Sequence, residues 1–534
     1  MTESAVKDST GGPLSSAESA IDRWLPVLLA VFVFCLAARP IADPDVWFHV
    51  RKGQAALAAF GSQSLHPLPV AVESGRSGDV MYDGWLGQII LFKVMNYAGP
   101  GGLLAFVSLI FVGTYLLVFK TLRNWLSVSG SVLLTSLAAM AGQNRWTTRL
   151  EVFSNLLLAL LLFQINRPPV SCLRLVTRVT PIFAFWANLH GAFALGYALL
   201  GIRVLEEVFE TRALDGPWVR VGIAAGFAGW LNPHGFNAQW NVLVGYAGHS
   251  YIYTTVMEWS SPSFRAEPWL EAWILLSVGT LWISRSQRRW TDLVTLLAGL
   301  HMVLGAVRHM VLFGIMTAPI LARKIEGIPA PAFVPARVQR WGRAVVLGML
   351  LCLVLVKAGP ASRAIGKRPI RWDLFPAQAV MFLNGTHVPG KMFNTNGWGY
   401  FLTYYLRPDY QVYIDGTGES YPESFHRNYN KIVGMAPGWH EELIGQDINF
   451  MVLPNDCDLS RALLAREDWT LIHADPLSVI FLRQIPKNGA LIDSLKMKGI
   501  VELPDDPRAD IDHTPVPGPR TSGVRTGVRR ISSP

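Results

Sequence analysis

The residues best placed to do chemistry come early in the chain. Residues 42–49 read Ala-Asp-Pro-Asp-Val-Trp-Phe-His, so two carboxylates, Asp43 and Asp45, follow directly on the first apolar run. A carboxylate pair where a membrane span meets water can reach a lipid-borne reactant on one side and a polar one on the other. It can accept a proton from an incoming hydroxyl or hold a divalent cation such as Mg2+ or Mn2+ through its oxygens. Local structure explains part of the pattern, because Asp43 is a good helix N-cap and Pro44 a good first helical residue. Capping does not explain Asp45. That residue stands four positions before His49, within pairing reach on one helical face.

Such a site needs elements to position it, and the composition says which. The chain of 534 residues is 51% hydrophobic and only 16% charged, where soluble domains average about 25% charged residues. Its mean hydropathy is +0.30. Apolar runs recur between residues 24 and 358 at lengths near the roughly 20 residues that cross a bilayer. The first 23 residues are polar, and the first apolar run has no small-residue cleavage site after it, so it reads as an uncleaved anchor. About 11 spans result, with residues 179–202 read either as two short helices meeting at Asn188–Gly191 or as one tilted helix, with another crossing within 239–257. The net charge of +9 lies in short loops such as Lys120–Arg123, Arg174–Arg178 and Arg285–Arg289. That is a topology signal, with the basic loops cytoplasmic, and it gives no stripe for nucleic acid. The four cysteines are scattered and predict neither a disulfide framework nor a thiolate metal site.

On that map the remaining polar residues gather at the opposite, outer ends of the spans. Asp83, Arg145, Arg149, Glu151, Asn188, His190, Asn232, His234, Glu258, Arg308 and His309 all fall there, with Asp43, Asp45 and His49. Ionisable groups at membrane depth are expensive unless they pair or line a wet cavity. Any one of them could be a local ion pair; their common side predicts a shared substrate-binding site. Beyond residue 358 the pattern changes. Short β-like runs at 391–394, 411–415, 449–453, 469–473 and 478–483 alternate with helical segments, which predicts a small α/β domain over 359–485. Residues 486–534 lack apolar periodicity and read as a disordered tail. The organisation expected is therefore a cytoplasmic tail (1–23), a transmembrane domain (24–358) with a first outer loop (42–101), then the α/β domain and the tail.

The order of motifs carries more than any single one. Asp43-Pro44-Asp45 with Trp47 and His49 is followed by Asp83-Gly84-Trp85-Leu86 and Gly99-Pro100-Gly101-Gly102-Leu103. Then come Trp186-Ala187-Asn188-Leu189-His190-Gly191, Leu231-Asn232-Pro233-His234-Gly235 and Glu258-Trp259-Ser260-Ser261-Pro262. Together they resemble bacterial polytopic proteins of the C-type glycosyltransferase superfamily, which includes protein O-mannosyltransferases, lipid A aminoarabinose transferases and oligosaccharyltransferases. The resemblance implies a transferase that takes a sugar from a polyprenyl-phosphate carrier at the outer face of the bacterial inner membrane. A lipid, glycan or protein would be the acceptor. It implies Asp43 or Asp45 as general base or cation ligand, and Arg145, Arg149, Arg308 and His309 around the donor phosphate. Asp83-Gly84 departs from the His-Glu of many relatives, and Asn396-Gly397-Trp398-Gly399-Tyr400 lacks the acidic residue of the oligosaccharyltransferase acceptor motif. In the outer domain, Trp398, Tyr400 and Asp415 could line an acceptor surface, while Asp415-Gly416 equally suits a plain turn. Two other readings compete with the enzyme: a transporter or flippase for a lipid-linked substrate, and a non-catalytic partner in envelope polysaccharide assembly.

Overall fold

The computed structural model describes residues 16–61, 84–168, 170–244, 257–286, 289–328, 336–416 and 421–497. The chain divides into two compact units. One comprises residues 1–41, 52–63 and 81–369; the other comprises 42–51, 64–80 and 370–534.

The first unit is helical. After Ser16–Ala37, its helices run Trp85–Leu122, Val128–Gly142, Glu151–Ile165, Cys172–Leu189, Phe193–Thr211 and Pro217–Ala228. Phe236–Val244, Pro268–Ile283, Trp290–Gly305, Met310–Glu326 and Ala336–Gly366 follow. Among the described residues three helices have stretches long and apolar enough to cross a membrane: Ala20–Ala37, Trp85–Leu122 and Trp341–Gly366. Apolar helices of 15 to 16 residues stand beside them, among them Glu151–Ile165 and Pro268–Ile283. Three of the 11 spans expected from the sequence thus have a counterpart, by length and composition, among the described residues.

Close packing uses small residues, as helices without a hydrophobic drive between them require. A Cβ on Gly142 would meet the Val311 backbone at 3.0 Å, and one on Gly314 the Ala138 carbonyl at 3.2 Å. Buried hydroxyls return to their own helices: Ser108 donates to Leu104 O, Thr114 to Ile110 O and Thr317 to Phe313 O. Trp273 Nε1 then donates to Thr317 Oγ1 at 2.8 Å and ties two helices together.

The first outer loop starts with the helix Asp45–Gly61, as capping by Asp43 and Pro44 predicts, and from Trp85 it is again helical. The break expected at Gly99–Gly102 is a kink: Gly99 takes φ 66° and helix continues on both sides. Gly101 is needed there, because its Cβ would stand 2.2 Å from Ile365 O. Near residues 188–191 the chain does turn, between Leu189 and Phe193, as the two-helix reading holds.

In the second unit a four-stranded mixed sheet has the order β1-β2-β4-β3. The strands are β1 (Lys391–Asn394), β2 (Ile448–Pro454), β3 (Trp469–Ala474) and β4 (Ser478–Arg483). β1 and β2 are parallel, and the other two pairings are antiparallel. Almost every side chain of β2 is buried, the mark of a central strand covered on both faces. Phe393, Met451, Leu453 and Phe481 from the sheet meet Ile432 and Leu443 from the helices Glu423–Val433 and Trp439–Gly445 in the core.

Two expectations change here. Residues 411–415 form no strand. The fully buried Asn394 side chain grips that segment, accepting from Tyr413 N at 2.8 Å and donating to Ile414 O at 2.8 Å, so it fills the place of a neighbouring strand. Residues 486–497 were read as part of the tail but form a 3-10 turn and the helix Gly489–Met497. Ile492 is buried on that helix, which supplies the apolar reason for order. The segments 1–15 and 498–534 lie outside the described residues. Between the units the division falls at residue 370, because the helix Ala336–Gly366 continues past 358.

Two outcomes follow for stability. Asn394→Ala leaves the Tyr413 and Ile414 backbone groups without partners, so it should lower stability by about 2 kcal/mol, read as a lower thermal midpoint. At Asp475, burial pushes the carboxyl up, but hydrogen bonds from His473, Ser478 and the backbone N–H groups of Leu477 and Ser478 outweigh it and hold the carboxyl below its ordinary value. A depressed folded-state value stabilises the unit above the usual carboxylate range, and the stabilisation is lost as pH falls through the depressed value. Asp475→Asn should flatten the acid limb of a melting-versus-pH curve; an acid limb of unchanged shape removes Asp475 from the account.

Candidate functional site

The first unit holds an ion cluster built from three turns. Val128–Gly142 stops at a 3-10 turn, Gln143–Arg145, and the next helix starts at Glu151. This puts Arg145, Arg149 and Glu151 at one end of two adjacent helices, with the Glu151 carboxylate in a first turn, where the helix dipole favours negative charge. A second 3-10 turn, Met257–Trp259, brings Glu258, and a third, Val307–His309, brings Arg308 and His309. Val307 N donates to Ser260 O at 2.9 Å and fastens the last two turns together.

The side chains then interlock. Glu258 accepts Arg149 Nη1 at 2.5 Å and lies 3.3 Å from Arg145 Nη2. Glu151 accepts Arg308 Nη2 at 3.0 Å. The Arg308 guanidinium lies over the Trp259 ring, 4.4 Å from its centroid, a contact that holds the plane as well as the charge. His309 sits edge-on to the same indole, and its Nδ1 donates to Met302 O at 2.9 Å. Five charged groups therefore share one patch, three cationic and two anionic. Each of their side chains is about one-fifth exposed. Arg145 Nε is buried and has no hydrogen-bond acceptor among the described residues.

Around the cluster the other expected residues divide by role. Ser154 Oγ accepts Trp186 Nε1 at 2.7 Å and lies 2.8 Å from His190 Nδ1. Since Ala192 N also donates to that Nδ1, it is the acceptor nitrogen, and a neutral His190 carries its proton on Nε2. Asn188 brackets the loops: its Oδ1 accepts Trp85 Nε1, and its Nδ2 donates to Ala184 O and Leu231 O, all at 2.7 Å. Asn232 donates to Ala187 O and accepts His234 N, so it fastens the neighbouring turn. Asn188 and Asn232 thus fasten the end of the helix Cys172–Leu189 to the start of Trp85–Leu122 and to the turn after Pro217–Ala228. Asp83 lies outside the described residues. Gly84, next to it, has φ 79°, and a Cβ there would meet Leu189 O at 2.9 Å. Trp85, Ser154, Trp186 and Trp259 escaped the sequence reading as site residues. The three tryptophans each stood in a quoted motif, beside Gly84, Ala187 and Glu258, whereas Ser154 left no signal.

Asp43, Asp45 and His49 belong to the second unit. Asp43 Oδ1 accepts Asp45 N at 3.0 Å, which is the capping bond expected at the start of the helix Asp45–Gly61. All three side chains are half-buried. What fixes them is the next residue pair: Trp47 is fully buried against Phe375, Phe401, Tyr404 and Tyr405, and Phe48 stacks on Tyr400 at 4.6 Å. Tyr400 and Trp398 are thus packing residues, the latter with its Nε1 donating to Leu374 O. Asp415 is also buried, beside the Tyr421 hydroxyl, which accepts its backbone N–H at 3.2 Å. Trp398, Tyr400 and Asp415, the residues expected at an acceptor surface, are thus all buried against their neighbours. Among the described residues no three His, Cys, Asp or Glu side chains gather as a metal site.

No family model and no curated protein matches this chain. Solved structures do. The archaeal oligosaccharyltransferase AglB from Archaeoglobus fulgidus, solved with an inhibitory peptide and a dolichol-phosphate, matches with a TM-score of 0.55 and 10% identity. That match covers 82% of this chain and 70% of that one. An apo oligosaccharyltransferase from Archaeoglobus fulgidus gives 0.49 and 11% identity, over 83% and 70%. The chain shares its fold with the archaeal oligosaccharyltransferase AglB.

The pairing has a measurable consequence. Glu258→Gln leaves Arg145 and Arg149 close together without their shared carboxylate, and breaking such a pair costs about 3 kcal/mol. The melting temperature in detergent should fall clearly; an unchanged value means the pairs contribute nothing to the fold.

Proposed function

We propose that this protein is a membrane glycosyltransferase that moves a sugar from a polyprenyl-phosphate carrier to an extracytoplasmic lipid, glycan or protein acceptor. The fold supports the reading, since the AglB structure that shares it was solved with a dolichol-phosphate and a peptide. The observation that carries it is the cation excess at one end of the helical unit: Arg145, Arg149 and Arg308 against Glu151 and Glu258. A planar guanidinium held by a carboxylate on one edge still offers donors on the other, which suits a phosphate. In this reading the protein spans the bacterial inner membrane and its second unit is periplasmic.

The chemistry is a displacement at the anomeric carbon. The acceptor hydroxyl oxygen forms a bond to that carbon while the carbon–oxygen bond to phosphate breaks, and the polyprenyl phosphate leaves with the electron pair. Asp43 or Asp45 takes the hydroxyl proton. Arg145, Arg149 and Arg308 stabilise charge growing on the leaving phosphate, where donors fixed in advance contribute most. His309, oriented by Met302 O, and His190, with Nε2 as its donor when neutral, bound the phosphate site. Glu151 and Glu258 position the arginines. Mg2+ or Mn2+ would sit on Asp43 and Asp45, because Mg2+ commonly takes one or two carboxylates and completes its shell with water and substrate phosphate.

With a polyprenyl-phosphate sugar as donor, Asp45→Asn or Asp43→Asn should lower turnover by a factor of about 10²–10⁴ while the protein stays folded in the membrane. Arg308→Gln, which removes a donor to the leaving phosphate, should lower kcat more than it raises the donor KM. Full turnover in both aspartate variants would remove the catalytic assignment.

A further inference from the structure

The opposite end of the helical unit carries a second charged feature. From Glu151 the helix runs 15 residues to Ile165, a rise of about 22 Å, so Arg167 stands far from the first cluster. A cavity of about 310 Å³ opens there, where the ends of the helices Glu151–Ile165, Trp290–Gly305 and Met310–Glu326 meet the helix Phe193–Thr211. That volume lies at the lower edge of small-molecule sites. Four guanidinium groups line it, from Arg167, Arg203, Arg289 and Arg323, with the carboxylates Glu206 and Asp292.

Charge decides what the cavity suits. Glu206 is held by Arg203 at 3.0 Å, by Arg289 at 2.9 Å and by Thr291 at 3.1 Å. Asp292 is held by Arg323 at 3.1 Å, with Lys324 Nζ at 3.7 Å. Five cations thus surround two anions. The carbonyl ends of Trp85–Leu122, Glu151–Ile165 and Met310–Glu326 oppose this excess, each by roughly half a charge, and the three surplus cations outweigh them. Glu206 and Asp292 are almost fully buried, whereas Arg289 is 39% exposed, so the acids sit at the back and a guanidinium faces the entrance. Arg323 lies against the Trp125 ring, and its buried Nε has no hydrogen-bond acceptor among the described residues. A donor in the wall therefore lacks an oxygen.

The remaining wall is apolar, through residues such as Leu162, Leu199, Ile202 and Ile320. Tryptophans ring the level: Trp125 beside Arg323, Trp218 beside Arg203, and Trp290 41% exposed against Phe209. Basic and indole side chains at one height mark a membrane–water boundary, where anionic lipid headgroups concentrate. We propose that this cavity binds the phosphate group of an anionic phospholipid from the leaflet at its own end of the bundle. Arg203, Arg289 and Arg323 take the phosphate oxygens, Glu206 and Asp292 hold those arginines in place, and the apolar wall receives the glycerol and upper acyl carbons. The proposal stands apart from the transferase reading, which concerns the other end.

Purified full-length protein in neutral detergent is titrated with phosphatidylglycerol, phosphatidylcholine or inorganic phosphate, and binding is read by thermal shift and Trp fluorescence. Phosphatidylglycerol should bind and phosphatidylcholine should not. Arg289→Gln and Arg323→Gln should each weaken binding at least tenfold, as should Ile202→Trp, which fills the cavity and removes no charge. Equal binding by inorganic phosphate, with the same dependence on the arginines, supports the phosphate site and assigns it to a soluble source. No binding by either phosphate-bearing anion overturns the proposal. So does phosphatidylglycerol binding that Ile202→Trp leaves intact, a result that decides the matter even where the arginine variants fail to fold.

Discussion

Charge drawn into a bundle of apolar helices has to be neutralised where it stands, and much of this structure follows from that. Leaving an ion unpaired at membrane depth costs several kcal/mol, and four acids near helix ends in the first unit each have a base from another turn against them. Glu151 has Arg308, Glu258 has Arg149, Glu206 has Arg289 and Asp292 has Arg323. These partners are far apart in sequence, so the pairs act as fasteners between helices. Because cations outnumber anions at both ends, the fastening leaves positive charge in hand, which is the property a phosphate ligand needs.

The same requirement governs the uncharged polar groups. Asn188 and Asn232 satisfy loop carbonyls that no helix serves, and Trp186 donates to a serine hydroxyl buried in the next helix. The turn that carries Arg308 is fastened separately, by Val307 N donating to Ser260 O, and its guanidinium is held between a carboxylate and the Trp259 ring. Preorganised donors of this kind stabilise developing charge more effectively than mobile ones.

The second unit solves a different problem. The short acidic segment at residues 42–51 has little core of its own, so it is held by aromatic packing: Trp47 is enclosed by four rings, and Phe48 stacks on a fifth. The helix Asn396–Leu406 supplies most of those rings. Gly399 is essential to its seat, since a Cβ there would stand 2.2 Å from Ile414 O, and Gly416 gives the same clearance to the Tyr400 ring. Residues that looked in sequence like a sugar-binding surface are therefore the mounting for the carboxylate loop.

Much was written locally in the sequence. Apolar run length set the helical unit, four of five expected strands appear where short apolar runs have a sheet to join, and Asp43 caps the helix after it as its chemistry dictates. Motif order was enough to indicate the fold. Only tertiary structure could separate ligand-facing polar groups from structural ones, because Asn188, Asn232, Trp398 and Tyr400 have the same composition in either role and differ only in what their atoms touch. It also decided the strand that never formed at 411–415, where one buried amide from Asn394 took its hydrogen bonds. The pairing of arginines with acids distant along the chain was equally invisible, since charge complementarity acts through space and leaves no spacing rule along the chain.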